Sequence, residues 1–205
     1  MKKRGILITF EGAEGSGKST NIRFVASYFK RKKRPVLLVR EPGSTQVSEA
    51  IREVLLDPIN KGMDKKTELL LYLAARAQLA QERILPALIS GKVVISDRFE
   101  DSTVAYQGFG EGISLQTIKE LSQFVRGNLK PDLTFVLDID PQKGLARGGR
   151  YDRVEKKSDA FHERVRKGFL AIAKKDKKRV VVLSAHQPIE QVQHKILERL
   201  KSIYG

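Results

Sequence analysis

The chain has 205 residues, 40% of them hydrophobic, no cysteine, and a formal net charge of +15 from 39 Lys and Arg against 24 Asp and Glu. That length supports one domain with a sizeable core, and the absence of cysteine excludes a disulfide scaffold, thiolate chemistry and a cysteine-held metal cluster. The basic start Met1-Lys2-Lys3-Arg4 is followed by an apolar run too short for a signal peptide, and no other run approaches the ~20 residues that span a bilayer, so a cytoplasmic protein with no membrane partner is expected.

Short apolar runs alternate with longer amphipathic stretches. In chain order they predict a strand at 6–10, a helix at 20–30, a strand at 36–39, helices at 47–56 and 67–90, and a strand at 93–96. A helix at 115–125, a strand at 133–138, helices at 141–146 and 160–174, a strand at 180–183 and a helix at 189–203 follow. Strands that read as continuous apolar runs belong to a parallel sheet covered on both faces, whose ligands collect at the strands' carboxyl ends. The expected fold is therefore α/β, a five-stranded parallel sheet in a single domain. The segment 147–158 is glycine-hinged, lacks a core-facing pattern, and reads as a mobile flap.

Gly12-Ala13-Glu14-Gly15-Ser16-Gly17-Lys18-Ser19, followed by Thr20, fits G-x-x-x-x-G-K-[ST] between the first strand and the first helix, a register that argues against a chance glycine-rich turn. Such a loop turns backbone N–H groups and a helix N-terminus toward phosphate oxygens, Lys18 adds a point charge, and Ser19 can coordinate magnesium. A nucleoside triphosphate is the expected ligand. After the third strand, Asp97 and Arg98 emerge at the same edge, one suited to magnesium and the other to bidentate grip of a phosphate, although a surface ion pair fits the same residues. Arg40 follows the second strand and reaches that edge too. Tyr72 and Arg76, four apart on a helix, could stack on a base and donate to its carbonyl. Taken alone, that pair fits better a core tyrosine beside a solvated arginine.

Together these residues, with Arg40-Glu41-Pro42-Gly43, Asp97-Arg98-Phe99, Ser102-Thr103-Val104-Ala105-Tyr106-Gln107-Gly108 and Asp152-Arg153-Val154-Glu155, closely resemble the bacterial thymidylate kinases, P-loop nucleoside monophosphate kinases. The resemblance runs nearly end to end. It implies transfer of a phosphoryl group from ATP to dTMP with Mg²⁺, within dTTP synthesis. It also implies that Glu14 accepts from the 3′-hydroxyl of dTMP, that Arg40 and Arg98 hold its phosphate, and that Tyr72 stacks on thymine. Arg76 would donate to thymine O4, Thr103 would face the ring's polar edge, Tyr106 would fill the space of a ribose 2′-hydroxyl, and Gln107 would belong to the substrate-binding set. Because Gly15 stands where some members carry a loop arginine, a flap arginine would complete the transition state, with Arg147, Arg150 and Arg153 as candidates. A homodimer through long helices such as 67–90 is implied as well.

Three rivals remain. Another P-loop kinase would differ in its acceptor. A GTP-binding switch would need an Asn-Lys-x-Asp signature, and the string Asn60-Lys61-Gly62-Met63-Asp64 is misspaced for it. A basic nucleic-acid-binding ATPase would suit the charge, but the basic runs fall at termini and between elements without interleaved aromatics, so no nucleic-acid partner is expected.

Overall fold

The computed structural model describes residues 5–148 and 152–204. Its centre is a parallel sheet of five strands in the order β2-β3-β1-β4-β5. They are β1 (Ile6–Glu11), β2 (Val36–Arg40), β3 (Val93–Asp97), β4 (Leu133–Asp138) and β5 (Val180–Ser184), each within one residue of its expected bounds. Side chains of β1 alternate between two cores. Ile6, Ile8 and Phe10 join Val25 and Phe29 of α1 (Lys18–Arg31) and Ile196 and Leu200 of α9 (Ile189–Tyr204). Leu7 faces the other way, toward Leu79, Ile84, Val94 and Phe99. Thr9 on that second face meets Thr134 of β4, hydroxyl to hydroxyl at 2.7 Å, so neither buried oxygen lacks a partner. Full coverage, expected for all strands, holds for β1, β3 and β4; at the edges, Leu38 of β2 is 44% exposed and Val182 of β5 41%.

The helix expected at 67–90 is not one regular helix. It runs as α3 (Lys65–Leu79), a π-helical turn (Ala80–Ile84) and α4 (Leu85–Ile89). Pro86 has no N–H to continue the ladder and its ring crowds the preceding turn, which the wider π turn accommodates. The other correction lies after β3, where no helix was expected: α5 (Glu100–Thr103) runs into a π-helical stretch, Val104–Gly110, before α6 (Leu115–Arg126). Packing against α8 (Asp159–Lys175) makes this stretch; a Cβ on Gly110 would lie 2.5 Å from the Phe161 ring. α2 (Gln46–Leu56) starts at Thr45, whose hydroxyl accepts from the Ser48 N–H, and packs beside α3.

The sheet's carboxyl edge is in register: Arg40 stands opposite Asp97, and Asp97 opposite Phe10, the residue before Glu11. The phosphate-loop residues leave β1 at this edge. α7 (Pro141–Gly148) crosses directly above them, and a Cβ on Gly144 would lie 2.4 Å from the Glu14 carbonyl oxygen. Glycine on both sides of that crossing lets helix and loop touch backbone to backbone.

Candidate active site

Two adjoining cavities open at this edge. The larger, of about 530 Å³, is lined by the loop from Glu14 to Thr20 and by Arg40, Arg52, Asp97, Arg98 and Arg147. α1 begins at Lys18 behind Gly17 in a left-handed conformation (φ 89°), with no side chain capping its first N–H groups, so they remain available to an anion. Lys18 lies across the loop and donates to the carbonyls of Gly12 (3.2 Å) and Ala13 (2.9 Å). Its burial and the nearby Arg98 lower its pKa.

Arg98 is the seam. It lines both cavities, donates to the Gly12 carbonyl at 3.0 Å, and pairs with Glu14. Burial opposes ionisation of Glu14, but Arg98 and Lys18 outweigh it and hold its carboxyl down at about 2. Arg98 has φ 70°, and Glu11 fastens that turn by accepting from the Phe99 N–H at 2.8 Å and from the Ser102 hydroxyl, which itself accepts from Arg98. Burial, then the charge of Asp101, raises Glu11 to about 8. The Arg98 guanidinium also sits 5.1 Å from the Tyr106 ring centroid.

The second cavity is a slot lined by Tyr72, Arg76, Phe99, Thr103, Tyr106 and Gln107, closed toward the first by Glu14, Arg52 and Arg98. Here the sequence-based alternative of a solvated Arg76 fails. Arg76 is only 2% exposed, its Nε donates to Glu41 at 2.7 Å, its Nη2 donates to Thr103 at 2.9 Å, and it stacks on Phe99. Its remaining nitrogen, Nη1, is buried with no protein partner. A donor so placed in a slot wall is unsatisfied unless a ligand carbonyl meets it.

Most of the expected residues gather at this edge, with Arg52 as an addition and Arg153 as a correction. Arg40 lines the phosphate cavity but not the slot; its side chain is 54% exposed and pairs with Glu49 at 2.8 Å. Arg52 of α2, which the sequence reading missed, reaches both cavities, steadied by donation to the Pro42 carbonyl at 2.9 Å. Its only sequence signal is a helical face shared with nothing diagnostic. Arg153 turns away from the phosphate loop: its Nε donates to the Leu55 carbonyl at 2.9 Å, and Nη2 pairs with buried Glu68 at 2.6 Å. This ties the distal end of the expected flap to α2 and α3. Arg147, on the last turn of α7, lines the phosphate cavity and a neighbouring one with Asn21, His186, Gln187 and Pro188, which the sequence reading also missed. Arg150 lies outside the described residues.

Among the described residues, no three His, Asp or Glu converge as a self-contained metal site. Ser19 and Asp97 nonetheless line one cavity, and Asp97 Oδ1 is buried without a hydrogen-bond partner. Two oxygens beside a phosphate site fit a magnesium ion that keeps several waters and shares phosphate oxygens.

The family model for thymidylate kinase matches residues 10–196. A thymidylate kinase of Lactobacillus helveticus is 46% identical over 204 residues, covering 97% of this chain and 96% of the relative. One from Pseudomonas fluorescens strain Pf-5 is 50% identical over 195 residues, covering 94% and 93%. The crystal structure of thymidylate kinase from Ehrlichia chaffeensis superposes with a TM-score of 0.79 at 36% identity, covering 97% of this chain and 99% of that one.

Proposed function

The chain belongs to the thymidylate kinase family, and from that premise we propose how its residues carry out the family's reaction, transfer of the γ-phosphoryl group of ATP to dTMP to give dTDP and ADP in dTTP synthesis. The observation that carries the assignment is the shared wall: Arg98, Arg52 and Glu14 line both cavities, so a triphosphate on the loop and a monophosphate nucleotide in the slot would meet end to end.

In the slot, Tyr72 stacks on thymine and the free Nη1 of Arg76 donates to O4, while Thr103 and Gln107 bound the ring's polar edge. Cytosine would set its amino group against a fixed donor, a mismatch that a buried site rejects strongly. Tyr106 closes the space beside the sugar, and Glu14 accepts from the 3′-hydroxyl. Arg98, with Arg52 and Arg40, holds the acceptor phosphate. On the donor side, the loop amides from Gly12 to Thr20 cradle the triphosphate, and the cavity beside His186 and Pro188 suits its base.

An oxygen of the dTMP phosphate attacks the γ-phosphorus as the bond to ADP breaks in line, so catalysis consists of positioning and neutralising charge on the transferred group. Lys18 and Arg98 supply that charge. Arg147, seated over the loop, is the flap arginine we assign beside them, with Arg150 as its alternative, while Arg153 anchors the flap. Ser19 and Asp97 would hold Mg²⁺, whose chemistry is to screen the phosphate oxygens. We further propose a homodimer through α2, α3 and α6, where Val47, Val54, Leu70 and Leu115 are exposed, and a cytoplasmic enzyme; among the described residues no helix is long and apolar enough to cross a membrane.

Turnover with ATP and each of dTMP, dUMP, dCMP, dGMP and dAMP tests the reading. dTMP should be the preferred acceptor, with dUMP next because it lacks only a methyl. Preference for any other base rejects the slot assignments.

A further inference from the structure

Arginine can only donate hydrogen bonds, so Arg76 needs no help to keep its polarity. Glutamine is ambivalent, since either end of its amide can face a ligand. Gln107 is 2% exposed in the slot wall, and its Nε2 donates to Glu68 Oε1 at 2.8 Å. Glu68 sits on α3, one turn before Tyr72, is itself 1% exposed, and is also paired with Lys157 at 3.0 Å and Arg153 at 2.6 Å. A carboxylate held by two cations can only accept. The Gln107 amide is therefore obliged to turn its NH₂ to Glu68 and its carbonyl oxygen toward the slot.

We propose that Glu68 is a positioning residue for base selection, fixing Gln107 so that the slot presents an acceptor to the N3–H of the pyrimidine. Thymine offers a carbonyl and an adjacent N–H, which match Arg76 and a carbonyl-out Gln107. Cytosine offers an amino group and a bare N3, which would match Gln107 only with its amide reversed. Glu68 keeps that reversal from occurring. Burial opposes its ionisation, but Lys157, the Gln107 amide and Arg153 together lower its pKa, so it stays an acceptor. The same carboxylate grips Arg153 and Lys157 in the distal part of the flap segment, which joins base recognition to the flap's anchor.

The inference rests on the slot being the thymine site, and the test separates the two. The probes are dTMP and 5-methyl-dCMP, which share sugar, phosphate and methyl group and differ only in that the carbonyl and N3–H of the first become an amino group and a bare N3 in the second. The wild-type enzyme should lose on the order of 10²–10³-fold in kcat/KM with 5-methyl-dCMP, because a fixed donor and a fixed acceptor are both mismatched. Glu68→Gln, whose amide can present either end to Gln107, should lose about tenfold less on the same change, with Arg76 alone supplying the discrimination that remains. Glu68→Asp keeps the anion for Arg153 and Lys157 but withdraws it by one methylene from Gln107, and should behave likewise; it decides the matter if the glutamine variant does not fold. A purely structural Glu68 would slow both substrates equally and leave the wild-type ratio intact, which overturns the proposal, as does a wild-type ratio near one. Failure of the wild-type enzyme to prefer dTMP over dAMP would instead overturn the site assignment itself.

Discussion

The two halves of the cleft are built on opposite plans. The slot is made of side chains that hold one another: Arg76 to Glu41 and Thr103, Gln107 to Glu68, Phe99 under Arg76, each buried. The phosphate cavity is made of backbone N–H groups, exposed side chains such as Ser19 and Thr20, and cations with loose partners such as Arg40. Shape and polarity can be read only by rigid, desolvated groups, whereas phosphate charge is met by any correctly placed cation or dipole. Selectivity therefore belongs to the slot and rate to the cavity, and substitutions in each should fail in different ways.

The largest effect should come from Lys18→Ala. It removes a cation that we place against the transferred phosphate, so kcat should fall on the order of 10²–10³-fold, with the far-ultraviolet circular dichroism unchanged. Near-normal turnover would remove Lys18 from the mechanism. Arg76→Met should break the slot in a second manner. It leaves Glu41 buried without its cation, and stability should fall by about 3 kcal/mol in urea unfolding. Burial already pushes Glu41's pKa up against Arg76's pull, so the variant should hold a protonated Glu41. Discrimination against dCMP should shrink as well, and full discrimination in a stable variant would contradict the O4 assignment.

The same contrast explains what could be read from the chain. The floor of the phosphate cavity is a run of consecutive residues from Glu14 to Thr20 whose spacing is its mechanism, and the five strands announce themselves as short apolar runs. The slot is visible only in part. Tyr72 and Arg76 share a helical face, but the partners that turn Arg76 from a solvated residue into a buried, fixed donor, Glu41 and Thr103, come from the ends of other elements. Arg52 has no local pattern at all. Arg153 shows the converse error: set in a glycine-rich basic stretch it resembles a flap arginine, and only tertiary packing brings it to Glu68. The π-helical stretch 104–110 was not legible because its glycines suppress helical periodicity while contact with α8 restores the helix.

Tyr106→Ala should have a smaller effect, confined to the sugar. The ring is 8% exposed, wedged edge-on against Phe161 and Phe169, and burial, relieved in part by Arg98, lifts its hydroxyl to about 12, so it acts as a neutral wall. Opening that space should reduce the preference for dTMP over its ribonucleotide counterpart by about tenfold. An unchanged ratio measured under kcat/KM conditions would show that another residue excludes the 2′-hydroxyl.

The smallest effect concerns Glu14, which joins the halves. Its carboxyl is held at about 2 in the folded chain against 4.5 for an ordinary glutamate. A depressed pKa means that its contribution is complete above pH 4.5 and fades as pH falls toward 2. Glu11 does not confuse this window: raised to about 8, it binds more protons in the folded chain only between 4.5 and 8, where stability should decline as pH rises, and it is protonated in both states below. The Glu14 side chain is 35% exposed, so water and salt weaken its pairing with Arg98. Urea unfolding between pH 5 and 2.5 should therefore show a slightly steeper loss for the wild type than for Glu14→Gln, with the gap narrowing in high salt. Equal slopes would mean that Arg98 holds its place through the Gly12 carbonyl and Ser102 alone, and that the two halves of the cleft are joined by backbone and not by charge.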